Sequence, residues 1–383
     1  MDCNELTIFL QKVLDNEDLI YRPDDDQLEE VPELLTLIDE FAEKCDPYNR
    51  NIELRLEISK KLDLHHLGDF HDGWALGTTP EAKKCFVNKQ GDQMIDPETK
   101  NPYVFELADR FSEGFAAVYC YWDGKIRFLK TDGTFLPGEF YYEVDWPRFS
   151  NGYAAVQKTS IEWGYLYTTG NYQKADDQVT KLWNYTKEGF ARRSVTVGNN
   201  VQATRFHFYD KDNNQLDIEI EQGLVQASDF SEGYAPVMYA APSYAWSFVD
   251  TEGKLYRKGT EIVKLRNAAD INPQRFGWFK FRTFDDNFGF VNLKGETLKD
   301  EFGNRLFRVV TDFSDGLAIV TRDNKTYAMD TTGKYLRGED GKILEFNYGE
   351  GFEDGVALIS LNSGEFWYLT KKGKLIKFGN NQQ

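Results

Sequence analysis

Three of the chain's four histidines fall within ten residues, DLHHLGDFHD from Asp63 to Asp72. His65, His66 and His71 alternate there with Asp63, Asp69 and Asp72, and imidazole with carboxylate is the ligand set of many zinc and iron sites. His65, His71 and Asp69 are therefore the candidate metal ligands. In an extended strand His65 and His66 face opposite sides, so no more than one of them joins His71. The competing account is a polar junction into a repeated unit, and on that account the chain carries no metal and no other cofactor.

Other chemistry-bearing residues are too common or too regular to mark a reaction. Paired carboxylates occur at Asp24, Asp176 and Asp285, and glycosidases need such a pair at a fixed separation that sequence does not supply. Ser-acidic-Gly triplets recur along the chain, whereas a catalytic site needs its residues once. Phosphate-loop, dinucleotide, nucleophile-elbow and HExxH patterns are absent from the sequence. No catalytic residue is assigned. The residues that stand out as candidate partner contacts are Trp122, Trp146, Trp183 and Trp278, which lie outside the shared second-signature position described below. Arg192-Arg193 joins them as a basic pair in an acidic chain. Exposed Trp rings serve as hot spots or sugar platforms; the structural alternative is packing beneath loops.

Those residues must be positioned by something, and the sequence shows what. Turn glycines at Gly73, Gly114, Gly152, Gly189, Gly233, Gly277, Gly316 and Gly355 are separated by 41, 38, 37, 44, 44, 39 and 39 residues. Around them the chain reads FSEGFAAV from Phe111, FSNGYAAV from Phe149, FSEGYAPV from Phe230, FSDGLAIV from Phe313 and FEDGVALI from Phe352. Gly supplies positive φ in such a turn, and the Asp, Asn or Ser is expected to bond its own backbone. A second signature follows: WGYLYTTG from Trp163, WSFVDTEG from Trp246, FGFVNLKG from Phe288 and WYLTKKG from Trp367. Its aromatics two apart share a strand face, and the polar-x-x-Gly matches a type I turn ending in Gly. A third strand recurs, as in YVFEL from Tyr103, FYYEV from Phe140 and KILEF from Lys342. The fourth unit is the most eroded, reading GFARRSV from Gly189, and the sixth, RFGWFKF from Arg275, lacks the acidic residue.

This combination of F-S-[DE]-G-[FYL]-A-x-V with a W-G-[FY]-[IVL]-[DNT]-x-x-G partner resembles the WG, or KWG, repeat proteins. The resemblance covers about residues 64 to 378, although only Trp163-Gly164 keeps the literal dipeptide. It implies a bacterial repeat protein that binds partners, and it transfers no catalytic residues.

Eight units of about 40 residues, each unable to bury its apolar face alone, define an all-β repeat array over 63–383. A β-propeller is expected because closing the ring hides strand edges; the alternative is an open superhelical β-array. No strand shared between the first and last units is evident. Residues 1–62 lack the repeat and read as a small α-helical region. Helices are expected at Leu6–Leu14 and Pro32–Cys45, and Tyr48–Leu62 reads as a helix despite the strand-like alternation of Ile52, Leu54, Leu56 and Ile58. This region is expected either to cap the array or to bind a partner.

The chain carries 45 basic and 63 acidic residues, a net charge of −18. A field of that sign repels polyanions, so nucleic acid and anionic membranes are not the expected partners and a basic protein surface is. The N-terminus lacks a secretory pattern, no apolar run is long enough to span a bilayer, and Cys3, Cys45, Cys85 and Cys120 show no CxxC spacing. A reducing cytoplasm is the expected location. The function expected is a non-catalytic protein-binding or scaffold module. The alternative is a carbohydrate-binding module or a glycan-active hydrolase on the same fold.

Overall fold

The computed structural model describes residues 47–377, except 121–123, 142–145, 177, 198–203, 221–222, 240–243, 260, 354 and 363–364. The helices expected at Leu6–Leu14 and Pro32–Cys45 and the candidate Trp122 lie outside the described residues. The chain divides into two compact units, Met1–Glu57 and Ile58–Gln383.

The helix read over Tyr48–Leu62 is present as Pro47–Leu62. Proline suits its first position because the amide it lacks would have no intrahelical partner. Ile52, Arg55, Ile58 and Ser59 are buried, a spacing of three to four residues that belongs to a helix and not to a strand. Lys60 and Lys61 occupy the last turn, where cations favour the helix dipole. Asp63 then adopts φ 52° and the Leu64 amide donates to the Ser59 carbonyl at 2.9 Å, a Schellman end. Asp63 of the histidine cluster is thus a helix terminator.

Each later unit is an antiparallel meander. In the second unit the strands are Leu107–Ala108, Phe115–Cys120, Lys125–Lys130 and Phe140–Tyr141. Among the described residues, hydrogen bonding groups the strands into eight antiparallel sheets. One is six-stranded because the fourth and fifth units join through the Phe206–Leu224 pair, and one is the two-stranded outer ribbon Arg257–Lys258 with Glu261–Ile262. The expected third recurrent strand is more broken than its sequence suggests. It survives as bridges such as Lys84 to Phe105, Phe288 to Phe307 and Thr326 to Phe346, because hairpins such as Asp96–Asn101 interrupt it.

The apolar cores lie between units, not within them. Phe86, Met94 and Phe105 of the first unit enclose Phe111, Ala116 and Val118 of the second. Equivalent clusters fill the next six seams in chain order. In four seams the Phe that leads the first signature meets the aromatic of the second signature in the preceding unit, and Phe352 instead packs with Ala328 of the seventh. Ring centroids are 4.8 Å apart for Phe86 and Phe111, 5.0 Å for Phe128 and Phe149, 4.8 Å for Phe208 and Phe230, and 4.4 Å for Phe290 and Phe313. The two sequence signatures are the two halves of one interface.

The last seam closes the ring. Tyr368 of the eighth unit, the counterpart of Phe290, is buried with its ring edge-on to His66 at 6.1 Å and its hydroxyl 3.5 Å from the Leu67 carbonyl oxygen of the first unit. Arg110 of the second unit reaches past the first to Glu353 of the eighth at 3.1 Å. Such a contact requires the three first strands to converge towards one axis. Among the described residues no strand pairs the first blade with the eighth, and the closing contacts seen there are made by the side chains of Tyr368, Arg110 and Glu353. The repeat unit is a closed, eight-bladed β-propeller.

Candidate binding surfaces

A meander ring has two faces, and their residues differ. One face carries the turns from first to second strand and from third to fourth strand. The opposite face carries the loops from second to third strand and the crossovers to the next blade.

On the turn face the Ser-acidic-Gly motif makes a two-residue hairpin. In the second blade Ser112 and Phe115 exchange backbone hydrogen bonds, and the corner residues Glu113 and Gly114 have φ of 53° and 84°. Both signs are positive, as a type I′ turn requires. The acidic side chain does not bond its own backbone, contrary to the sequence expectation. It stands off the turn tip, where the nearest free donors belong to the next blade. Asp72 accepts from the Gly114 amide at 2.8 Å, Glu113 from Asn151 and Gly152 at 2.7 and 2.8 Å, Glu232 from Gly277 at 2.8 Å, and Asp315 from Gly355 at 2.8 Å. The motif is a staple between blades. Where an Asp or Asn opens a third-to-fourth turn, as Asn88, Asp210, Asp250, Asn292 and Asp330 do, it does bond its own turn: Asp250 accepts from the Glu252 and Lys254 amides, both at 2.9 Å.

The histidine cluster does not assemble as expected. A bulge between Leu67 and Phe70 shifts the side-chain phase of the strand His66–His71, so His66 and His71 line one pocket with Asp69. His65 is exposed and lies outside that lining. The pocket, about 230 Å³, sits where blades eight, one and two meet and also takes in Asp109, Arg110 and Glu353. Arg110 Nη1 lies 3.2 Å from His71 Nε2 and also pairs with Glu353, while Asp69 accepts from the Phe70 amide at 2.8 Å. Among the described residues no three His, Cys, Asp or Glu side chains are grouped to hold a metal ion.

The described tryptophan candidates are half-buried at seams. Trp146 packs on the cluster around Phe128 and Phe149. Trp278 follows the turn glycine of the sixth blade, as Trp74 does in the first, and each donates its indole N–H to the next blade, at 3.1 Å to the Thr331 carbonyl and 3.2 Å to that of Thr131. Trp278 therefore occupies the first-signature position that Phe115 and Tyr153 hold in other blades, and it packs at a seam. Trp183 is covered by the Arg192 guanidinium at 3.9 Å. Arg192 in turn donates to the Ala227 carbonyl and pairs with Asp229 at 3.0 Å, a bridge to the fifth blade that Lys280 and Asp312 repeat between the sixth and seventh. Arg193, its neighbour, is buried.

The surface that sequence reading missed is the loop face. Ile161 is 87% exposed, Phe284 74% and Tyr244 66%, all in or beside second-to-third loops. Val104, Leu107, Leu306, Val309 and Tyr348 are exposed at the crossovers on the same face. Charges among them pair with one another, as Lys83 does with Glu106 and Lys325 with Glu345. The signal was available in sequence: loops such as FDDN from Phe284 and AAPSY from Ala240 keep apolar residues, while third-to-fourth turns read TDGT or TEGK.

No protein-family model matches the chain, and no curated protein does. Solved structures match it in fold. A eukaryotic initiation factor aligns over 80% of this chain and 85% of its own at 11% identity, with a TM-score of 0.52. The computationally designed protein Ika8 aligns over 81% and 93% at 13% identity and a TM-score of 0.46, and apo AztD from Citrobacter koseri over 78% and 92% at 11% and 0.46.

Proposed function

We propose that this chain is a non-catalytic binding module whose loop face docks a protein partner. The supporting observation is that the three most exposed large apolar side chains next to the second-to-third loops, Ile161, Phe284 and Tyr244, share that face with several exposed crossover residues. The turn face shows Phe276 and, on the outer hairpins, Phe302 and Ile95, and its recurrent acids are spent on staples between blades. Apolar residues ringed by internally paired charges are the composition of an interface centre. The net charge of −18 favours a partner with a basic rim, which the acidic field steers. The repeat signatures still resemble the WG class, and a partner-binding role is what that class implies. A cytoplasmic setting suits Cys85, whose burial pushes its thiol up to about 11 and leaves it unreactive at neutral pH. The alternative, a carbohydrate-binding module, draws on the non-consensus Trp and Tyr residues, of which Trp146, Trp183 and Trp278 are half-buried against blade neighbours.

The test is co-purification with paired variants. Ile161→Asp with Phe284→Asp is expected to abolish capture of a basic protein that the native chain retains at low salt and loses at high salt. Turn-face controls at Lys254 and Lys334, changed to Glu, are expected to keep it. Equal capture by both sets, or hydrolysis of a glycan by the native chain, overturns the reading.

A further inference from the structure

A buried guanidinium marks a second site, within the strands of the fourth blade. Arg193 stands where five other blades place Val118, Val156, Val237, Val320 and Ile359, all buried in their seams. It is itself only 5% exposed. Arg192 beside it has Asp229 as a partner, but Arg193 forms no ion pair among the described residues, and its Nε has no hydrogen-bond partner. What surrounds it is aromatic: the guanidinium lies 3.9 Å from the Tyr209 ring centroid and 5.6 Å from that of Tyr165, with the Tyr165 and Tyr185 hydroxyls facing it. Ring faces soften the cost of a buried cation but do not neutralise it.

The same guanidinium lines a pocket of about 350 Å³ on the fourth blade. His207 lies directly across the strand pair from Arg193 and borders that pocket, as do Tyr209, Gln178 and Gln215, with Asp176 exposed at its edge. Tyr209 donates to the Gln215 side-chain carbonyl at 3.1 Å, which fixes the tyrosine ring as a wall. We propose that this pocket binds a small monocarboxylate with a hydroxylated body, its carboxylate paired with Arg193 and its hydroxyls met by Gln178 and Gln215.

One cation calls for one negative charge. A doubly charged phosphate is disfavoured by the Asp176 carboxylate at the edge and by His207, whose burial lowers its pKa and leaves the imidazole neutral at pH 7. A guanidinium also matches the planar fork of a carboxylate. The tyrosine wall suits the ring of a sugar acid.

The probes are sodium glucuronate, gluconate, acetate and inorganic phosphate at matched ionic strength, read by titration calorimetry and melting temperature on the full chain. Saturable heat and a concentration-dependent rise in melting temperature are expected with glucuronate or gluconate. Arg193→Val supplies the residue of the other blades, so it is expected to fold with undiminished stability and to lose saturable binding. Arg193→Lys, without the fork, is expected to weaken binding at least tenfold. Tyr209→Leu, which leaves the cation in place, is expected to weaken the sugar acids and not acetate. Absence of saturable binding by the native chain overturns the proposal, as does binding retained in Arg193→Val or saturation by phosphate alone. None of these outcomes bears on capture of a protein by the loop face.

Discussion

Glycine positions that look alike in sequence carry different loads. Gly152 has φ 84°, and a Cβ built on it meets nothing within 4 Å. Gly333 has φ 88°, and a Cβ there would overlap the carbonyl oxygen of Lys299, contributed by the preceding blade. Gly253 and Gly373 are placed against Asp217 and Arg337 in the same way. Gly152→Ala is therefore expected to cost about 1–2 kcal/mol, the strain of a left-handed residue. Gly333→Ala adds a backbone collision that only separation of the blades relieves, and a loss above about 4 kcal/mol is expected. Chemical denaturation of the two variants measures the difference, and equal losses would show that φ alone sets the cost. The turn requirement for glycine was legible from its spacing. The collision was not, because it depends on a neighbour about thirty-five residues earlier in the chain.

At the scale of the element, the staple makes a prediction about the blade that lacks it. Phe276 replaces the acid in the sixth blade, holds φ 52° and is exposed, so an aromatic side chain occupies a strained corner without burial in return. Phe276→Glu is expected to stabilise the ring by about 0.5–1 kcal/mol by offering the Gly316 amide a carboxylate, while Glu113→Ala is expected to cost about 1 kcal/mol. Thermal unfolding of both decides whether the motif is a staple or only a turn. The same seam is held differently, through a hairpin at Asp300. Its side chain accepts from the Phe302 and Asn304 amides at 2.9 and 2.7 Å and from the Tyr335 hydroxyl at 2.7 Å, with Arg322 at 3.1 Å. Burial pushes its pKa up, but the hydrogen bonds from Asn304, Tyr335 and the backbone outweigh it, and the net shift is below the usual 3.8. A depressed folded pKa stabilises above the unfolded value and is lost as pH falls through the folded one. Asp300→Asn should thus remove a component of acid denaturation below about pH 4, and an unchanged acid profile would contradict the assignment. Strand order and turn types were readable because each is set within a dozen residues. The destination of the acidic side chains and the bulge that selects His66 over His65 were not, since each is decided across strands or seams.

For the whole molecule the open question in the sequence was closure, because eight complete meanders can form either a ring or a superhelix. Two kinds of contact join the eighth blade to its neighbours. Arg110 and Glu353 form an ion pair whose side chains remain 33% and 66% exposed, and solvent screening leaves such a pair worth less than about 1 kcal/mol. Tyr368 is 1% exposed against the first blade, and removal of a buried aromatic of that size costs about 3–5 kcal/mol. Closure is therefore an apolar seam with a polar latch, and its energetics follow the other seven. Arg110→Ala should leave the melting temperature and the small-angle scattering profile nearly unchanged. Tyr368→Ala should lower the melting temperature strongly, and the scattering maximum dimension should grow as the ring gapes before global unfolding. The reverse ranking would mean that charge holds the ring together, and then high salt should open the native protein as well.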